Sequence, residues 1–549
     1  MLKSAVQNLE RMPLLFGMPE PYTNERPANY ADRVGQWYSA SISSTYKKQF
    51  GQYFTPVEVA DFMASLLSSR NKATHLIDPG AGTGVLACAA CEYLISSKKK
   101  PSRLTLDVYE IDPNLAAILE KTISYLAEYL AKQDVVFEYT LHVEDFVLKY
   151  AYALEKSPTL FDAEESEPRF DICISNPPYF KLPKSDVRAQ AARRVVHGQP
   201  NIYALFMAIS ASLLSENGQL VFITPRSFAS GPYFQLFREH FFEIVKPEFI
   251  HIFDSRRDAF ERDSVLQENI ILKACRKKSR SLDSEQSVMV SVSTGTKDIM
   301  QAKRKKLPLG VMLDLETREK VLKIPHSDQV ETVLDKMAHW TGSLHKYGLE
   351  ISTGPVVAFR AIEFMSEKPD SKKIYAPLLW LQNVHSMNVV WPTGARQKPQ
   401  YIEMSPESMY LLVPNTDKNY ILLRRFSAKE EARRLVAAPL TCKMLPYEWL
   451  GLENHLNYIY RPKGTLSEEE AWGLAVLYNS FFLDTYFRMV NGSTQVSATE
   501  IRSIPLPPLD IITAIGKRAM TCANMYENID SLANLAFKNT HANIRDVYV

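Results

Sequence analysis

The stretch Asp171-Ile172-Cys173-Ile174-Ser175-Asn176-Pro177-Pro178-Tyr179 joins an apolar run to an abrupt stop. The run reads as a buried strand. Two prolines end it, because proline cannot donate to a ladder and restricts the residue before it. Asn176, Pro177, Pro178 and Tyr179 are therefore expected on a stiff loop at the carboxyl end of a strand. In an open α/β sheet that edge is where ligands bind.

Working outward, the preceding sequence supplies the rest of such a sheet. Ala73-Thr74-His75-Leu76-Ile77-Asp78-Pro79-Gly80-Ala81-Gly82-Thr83-Gly84 reads as a strand, a glycine-rich turn and the start of a small-residue helix. Glycines let the backbone bend sharply and approach a ligand closely. The turn lacks the Gly-Lys-Ser/Thr ending of a phosphate loop. Leu104 to Tyr109 predicts the next strand, closed by Glu110-Ile111-Asp112-Pro113. An acid at that place can hold two ribose hydroxyls or simply cap the helix 113–130. A third strand, 135–142, leads to Val143-Glu144-Asp145-Phe146. Helix 201–214 and strand 220–225 follow the opening stretch. Helix 232–243 and strands 248–253 and 269–275 are expected to complete the sheet. Strands alternating with helices imply a parallel sheet. Before them, Thr55 fits a helix N-cap, Pro56 the first helical position and Glu58 the third residue after the cap.

The chain has 549 residues, a net charge of +2, 46% hydrophobic and 23% charged residues. That suits a soluble protein of two or three domains and excludes a uniformly basic coat, not a local basic face. Six cysteines are scattered, with no disulfide pattern. Cys88 and Cys91 have metal-ligand spacing without a second pair, so they read as core packing and no metal is expected. No signal peptide and no membrane span are seen, which points to the cytoplasm, near the nucleoid. Four regions are expected: a helical extension, 1–45; a catalytic α/β domain, 46–280; a linker, 281–344; and a mixed α+β domain, 345–549, with strands near 378–391 and 410–423. Helices are expected at 428–437, 467–487 and 510–538, the last closing the chain.

Taken in order, Phe-x-Pro, Asp-Pro-x-x-Gly-x-Gly, an acid, Asp-Phe and Asn-Pro-Pro-Tyr resemble the gamma-class N6-adenine DNA methyltransferases of restriction-modification systems, the TaqI type. The likeness covers residues 49 to 276 well and the C-terminal half loosely. It implies a Rossmann-like S-adenosylmethionine-dependent domain followed by a target-recognition domain, acting on double-stranded DNA. It also implies a separately encoded restriction endonuclease as partner. By that resemblance Phe54, Thr55 and Pro56 meet the cofactor's methionine end. Asp78, Gly80 and Gly82 lie beneath the methionine and sulfonium, Glu110 accepts the ribose hydroxyls, and Asp145 with Phe146 holds the cofactor adenine. Asn176, Pro177, Pro178 and Tyr179 form the catalytic loop, and Tyr179 and Phe260 stack on a flipped base.

The residue types suit that chemistry. An exocyclic adenine amine is a poor nucleophile, because its lone pair is spread into the ring. The Asn176 oxygen and the Pro177 carbonyl can accept its hydrogens and localise the pair, if the loop is rigid. No strong base is needed. The target must leave the duplex, at a cost of about a few kcal/mol. A cytosine-C5 enzyme would need a nucleophilic Cys, usually after Pro, and no cysteine follows a proline. Arg360, Asn383, Arg424, Arg425, Asn491 and Gln495 have the types that read base edges or phosphates. Protein-glutamine N5 and RNA adenine methyltransferases share the catalytic loop, and an inactive DNA-binding module of this fold is the non-enzymatic alternative.

Overall fold

In the computed structural model, residues 17–538 are described apart from 44–45, 48–50, 52, 69–70, 156–168, 197, 199, 254–268, 278–285, 314–317, 319, 325–332, 334–335, 338–339, 394–397, 429–430 and 491–494. The chain divides into two compact units, Met1–Leu322 and Lys323–Val549.

The first unit is built on a nine-stranded sheet in the order β3-β2-β1-β4-β5-β7-β6-β8-β9. Its strands are β1 (Ala73–Pro79), β2 (Arg103–Tyr109), β3 (Val136–His142), β4 (Phe170–Ser175), β5 (Leu214–Pro225), β6 (Val245–Phe253), β7 (Asn269–Arg276), β8 (Ser287–Ser293) and β9 (Arg304–Pro308). β3, β2, β1, β4 and β5 run parallel. The chain goes outward from β1 through β2 to β3, then returns to β4 on the other side of β1. β1 and β4 are thus neighbours at the switch point, with Leu76 opposite Ile172. Their burial explains the apolar runs: the last four residues of each strand are buried. The Ser175 hydroxyl donates to the Pro79 carbonyl at 2.6 Å and pins the two strand ends together.

Three expectations are corrected in this unit. The sheet is not all parallel, since β7 pairs antiparallel with both β5 and β6. It does not stop at β7: β6 pairs with β8 and β8 with β9. The stretch read as linker therefore contains two strands. Ser287–Ser293 alternates buried and exposed residues only in part, and Arg304-Lys305-Lys306 is exposed as a charged edge, which is why both looked like linker. Finally, Thr55 does not cap the helix Val57–Ser65; Pro56 occupies the cap position without a side-chain bond.

The expected N-terminal extension does contain a helix, Pro27–Ser41, and it is stitched to the sheet domain. Arg26 pairs with Asp61 and Glu92, each at 2.7 Å. The Thr83 hydroxyl, in the glycine-rich turn, donates to the Ala31 carbonyl at 3.0 Å.

The second unit has a four-stranded and a five-stranded sheet. The first joins Glu350–Thr353, Leu456–Tyr460, Tyr420–Arg424 and Ala437–Leu440. The second includes Tyr375–Leu379, Trp449–Leu452 and Leu412–Pro414. Helix Glu468–Asn479 opens with a reciprocal Ser467–Glu470 cap. Of the helix expected over 428–437, the described residues 431–437 are not helical: the Arg434 and Leu435 amides both donate to Asp484 Oδ1, and Ala437–Leu440 is a strand. The long helices expected at 467–487 and 510–538 are broken, with new helices starting at Phe481 and Met525.

Candidate active site

The β1–β4 edge opens into a cavity of about 410 Å³ lined by Phe54, Gly80, Gly82, Glu110, Asp145, Phe146, Asn176 and Pro178 among others. Eight expected residues, distant in the chain, therefore meet in one cavity. Thr55, Pro56, Asp78, Pro177 and Tyr179 are not among its lining.

Asn176 is held at both ends of its amide. Its Nδ2 donates to the Tyr53 carbonyl at 2.9 Å and to Thr55 Oγ1 at 3.0 Å. Its Oδ1 accepts from the Tyr179 hydroxyl at 2.6 Å. Both amide hydrogens are spent on protein, so the oxygen's orientation is set, and one of its two lone pairs remains for a ligand. Thr55, expected as a helix cap and cofactor contact, is an anchor for Asn176.

Tyr179 is packed beneath the loop. It is 7% exposed, and its hydroxyl also lies 2.9 Å from the Ile223 carbonyl. Its ring stacks loosely on Tyr53, 5.9 Å between centroids, and meets Tyr203 edge-on. Burial pushes its hydroxyl well above the usual tyrosine range, so it stays a neutral donor. The expected base-stacking face is thus not presented here; the hydroxyl, with two buried acceptors in reach, holds the ring in. Phe260, the other expected stacking residue, lies outside the described residues.

Glu110 is nearly buried, with Oε2 accepting from the Gly82 amide at 3.1 Å and Oε1 from the Asp112 amide at 2.9 Å. Burial pushes its carboxyl up to about 7, against the pull of the Asp112 amide. The helix cap is Asp112, which accepts from Asn114. Glu110 lines the cavity while its carboxylate accepts from these backbone amides. Asp145 caps the helix Phe146–Tyr150 through Oδ1, which accepts from the Leu148 amide at 3.0 Å. Asp78 lies under the glycine turn, fully buried, and among the described residues neither oxygen has a hydrogen-bond partner. Burial pushes its carboxyl well above the usual range; the Ala87 amide, outside hydrogen-bond geometry, pulls only partly the other way.

Tyr53, Phe180, Arg188, Ile202 and Phe206 also line the cavity and were not foreseen as site residues. Phe206 lies one turn after Ile202 on the helix Ile202–Leu213, whose residues are all buried, so its pattern is that of core.

The Eco57I restriction-modification methylase family matches residues 107–260. The Type II methyltransferase M.BsuBI of Bacillus subtilis is 33% identical over 491 residues, covering 89% of this chain and 92% of that protein. This chain belongs to the Type II restriction-modification DNA methyltransferases. M.PstI of Providencia stuartii, another Type II methyltransferase, is 29% identical over 92% of the chain and 96% of its own length. Among solved structures, the type IIG restriction endonuclease BpuSI aligns over 95% of this chain and 71% of its own, at 13% identity and a TM-score of 0.41.

As a site-specific DNA methyltransferase with a modification role, the chain uses S-adenosylmethionine. The cavity fits that cofactor on its own geometry. It offers a double acceptor in Glu110, an acidic side chain in Asp145 beside Phe146, and a turn at Gly80 and Gly82, both with positive φ, that carries no side chain into the space. Among the described residues no cluster of His, Cys, Asp and Glu could hold a metal, and Cys88 and Cys91 are buried in the core.

The methyltransferase's expected base readers fare unevenly. Asn383 is fully buried; its Oδ1 accepts from the Trp380 amide and its Nδ2 donates to the Val390 carbonyl, both at 2.6 Å. It closes a turn and cannot read a base. Arg424 donates through Nε to the Val384 carbonyl at 2.7 Å. With its amide oriented to satisfy both groups, the Gln495 oxygen accepts from Arg425 Nη2 at 2.7 Å and Nε at 3.0 Å. These two candidates join one another. Arg360 is exposed, its guanidinium 5.3 Å from the centre of the exposed Phe359 ring. Asn491 lies outside the described residues. No described helix is long and apolar enough to cross a membrane.

Proposed function

We propose that the chain methylates N6 of an adenine flipped out of duplex DNA. The observation that carries this is the clamped amide of Asn176, fixed through Nδ2 by Tyr53 and Thr55 and through Oδ1 by Tyr179. A neutral acceptor held rigidly at a strand end is what an exocyclic amine needs, since it must be polarised without being handed to a strong base. Asn176 Oδ1 and the Pro177 carbonyl each accept a hydrogen bond from one amine hydrogen, which stays on the nitrogen, and the nitrogen lone pair is drawn out of the ring. When bound, S-adenosylmethionine supplies an electrophilic methyl on a positively charged sulfur. Glu110 accepts the ribose hydroxyls, Asp145 and Phe146 hold the adenine, and Phe54 with the turn at Gly80 and Gly82 borders the methionine side.

The second unit is the target-recognition domain in this reading, with Arg360 as a phosphate or base contact. The cognate nuclease is a separate protein, a reading supported by relatives of nearly the same length that are named as methyltransferases alone.

Incubation with labelled S-adenosylmethionine and unmodified duplex DNA, structured RNA or release factor tests this. After digestion, label in N6-methyldeoxyadenosine from the duplex is expected. Label in N4-methyldeoxycytidine, RNA or protein would overturn it.

A further inference from the structure

The segment after the catalytic loop bears on the cofactor pocket. It is closed at its base, where the Leu182 amide donates to the Pro200 carbonyl and the Ile202 amide to the Phe180 carbonyl. Inside it, Asp186 caps the short helix Val187–Ala191 by accepting from the Arg188 amide. The same carboxylate grips the guanidinium of Arg188, Oδ1 with Nε at 2.9 Å and Oδ2 with Nη2 at 2.8 Å. A basic side chain in a polar loop is ordinarily a solvated charge, and Arg193 in the same loop is 79% exposed. Arg188 differs: its side chain is 21% exposed and borders the cavity.

The fork with Asp186 leaves Nη1 directed elsewhere. It stands 3.9 Å from Asp145 Oδ2, the oxygen that the Leu148 amide does not use. The guanidinium also lies 5.6 Å from the centre of the Phe180 ring, next in sequence to Tyr179. Arg188 thus links an acidic side chain of the pocket to the residue that follows the catalytic loop.

We infer that Arg188 is a positioning residue for the cofactor's adenine: locked by Asp186, it keeps Asp145 Oδ2 turned to the cavity and fastens the loop over it. This rests on the cofactor assignment of the pocket made above. The two-point grip of Asp186 fixes the guanidinium, so its charge stands at one place beside Asp145 where a mobile lysine's would not.

Titration calorimetry of the full chain with S-adenosylhomocysteine and with adenosine reads this without turnover. Arg188→Ala is expected to weaken both ligands about tenfold, and Arg188→Lys about threefold, the charge being kept and the fork lost. Asp186→Asn, which loosens the fork and keeps Arg188, is expected to weaken both in the same direction. With saturating cofactor, kcat of Arg188→Ala stays within about twofold while KM for S-adenosylmethionine rises about tenfold. Unchanged affinity in Arg188→Ala, or a fall in kcat with affinity kept, overturns the inference. Glu110→Ala is the control. If it weakens binding and Arg188→Ala does not, the Arg188 role alone fails; if neither does, the pocket assignment fails with it.

Discussion

Replacing Tyr179 with Phe separates the role the geometry gives this residue from the one its motif implies. The ring, its stack on Tyr53 and its edge contact with Tyr203 survive the change. What is lost is one hydroxyl, 2.6 Å from Asn176 Oδ1 and 2.9 Å from the Ile223 carbonyl. One proton serves these two acceptors, so one hydrogen bond's worth of orientation goes, about 0.5–1.5 kcal/mol net. The site is buried, and a vacated acceptor adds to the loss, while the two Nδ2 anchors of Asn176 limit it. A total of about 1–2 kcal/mol in the reacting geometry corresponds to a kcat lower by roughly 5- to 30-fold. Tyr179 does not line the cavity, so affinity for S-adenosylhomocysteine should hold. Single-turnover methyl transfer at saturating DNA and cofactor, with calorimetry beside it, measures both. If stacking on the base were the whole role, Phe would serve as well as Tyr. A Tyr179→Phe rate within about twofold of wild type would refute the clamp.

Asn176→Ala should lower kcat at least about 100-fold, as loss of a fixed polar group at the reacting atom does, with cofactor affinity kept; rapid-quench transfer and calorimetry check this. Glu110 has a folded pKa of about 7, raised by burial from an ordinary value of 4.5. The folded, cofactor-free protein therefore holds this proton more tightly than the unfolded chain. Glu110's contribution to stability falls as pH climbs toward 7 and is level above it, readable in thermal unfolding of wild type against Glu110→Gln. The ribose hydroxyls need the ionised acceptor, so cofactor affinity should rise about tenfold from about pH 6 to about pH 8; an affinity flat over that window would contradict the assignment. Gly51 has φ +62°, and a Cβ there would come within 3.0 Å of Phe180, 3.1 Å of Pro178 and 3.2 Å of the Tyr179 nitrogen. Gly51→Ala should cost about 1–2 kcal/mol in urea unfolding and lower kcat, because it presses on the catalytic loop.

Much of the sheet edge was legible because its signals are local. A glycine turn after an apolar run, an acid closing the next strand and a double proline each carry their own backbone reason. They place Gly80, Gly82, Glu110, Asn176 and Pro178 around one cavity. The misreadings are long-range. Thr55 before Pro56 looks the same whether its hydroxyl caps a helix or takes a hydrogen bond from Asn176, 121 residues on. Arg188 looks like any loop cation until Asp186 and Asp145 are seen beside it. In the second unit, Asn383, Arg425 and Gln495 have the donors and acceptors that read bases, but the same atoms close turns and join loops. Polar residue type alone cannot separate those uses. β9 was missed because an edge strand needs little apolar sequence, and β8, which lies between β6 and β9, because its alternation of buried and exposed residues is incomplete.

The central claim is that this methyltransferase's fixed Asn176 acts on an adenine amine. Expressing the chain in a methylation-free host and reading the genome by single-molecule sequencing tests it most directly. N6-methyladenine at one short recurring sequence, absent with Asn176→Ala, is expected; N4-methylcytosine, or an unmodified genome from active protein, would contradict it.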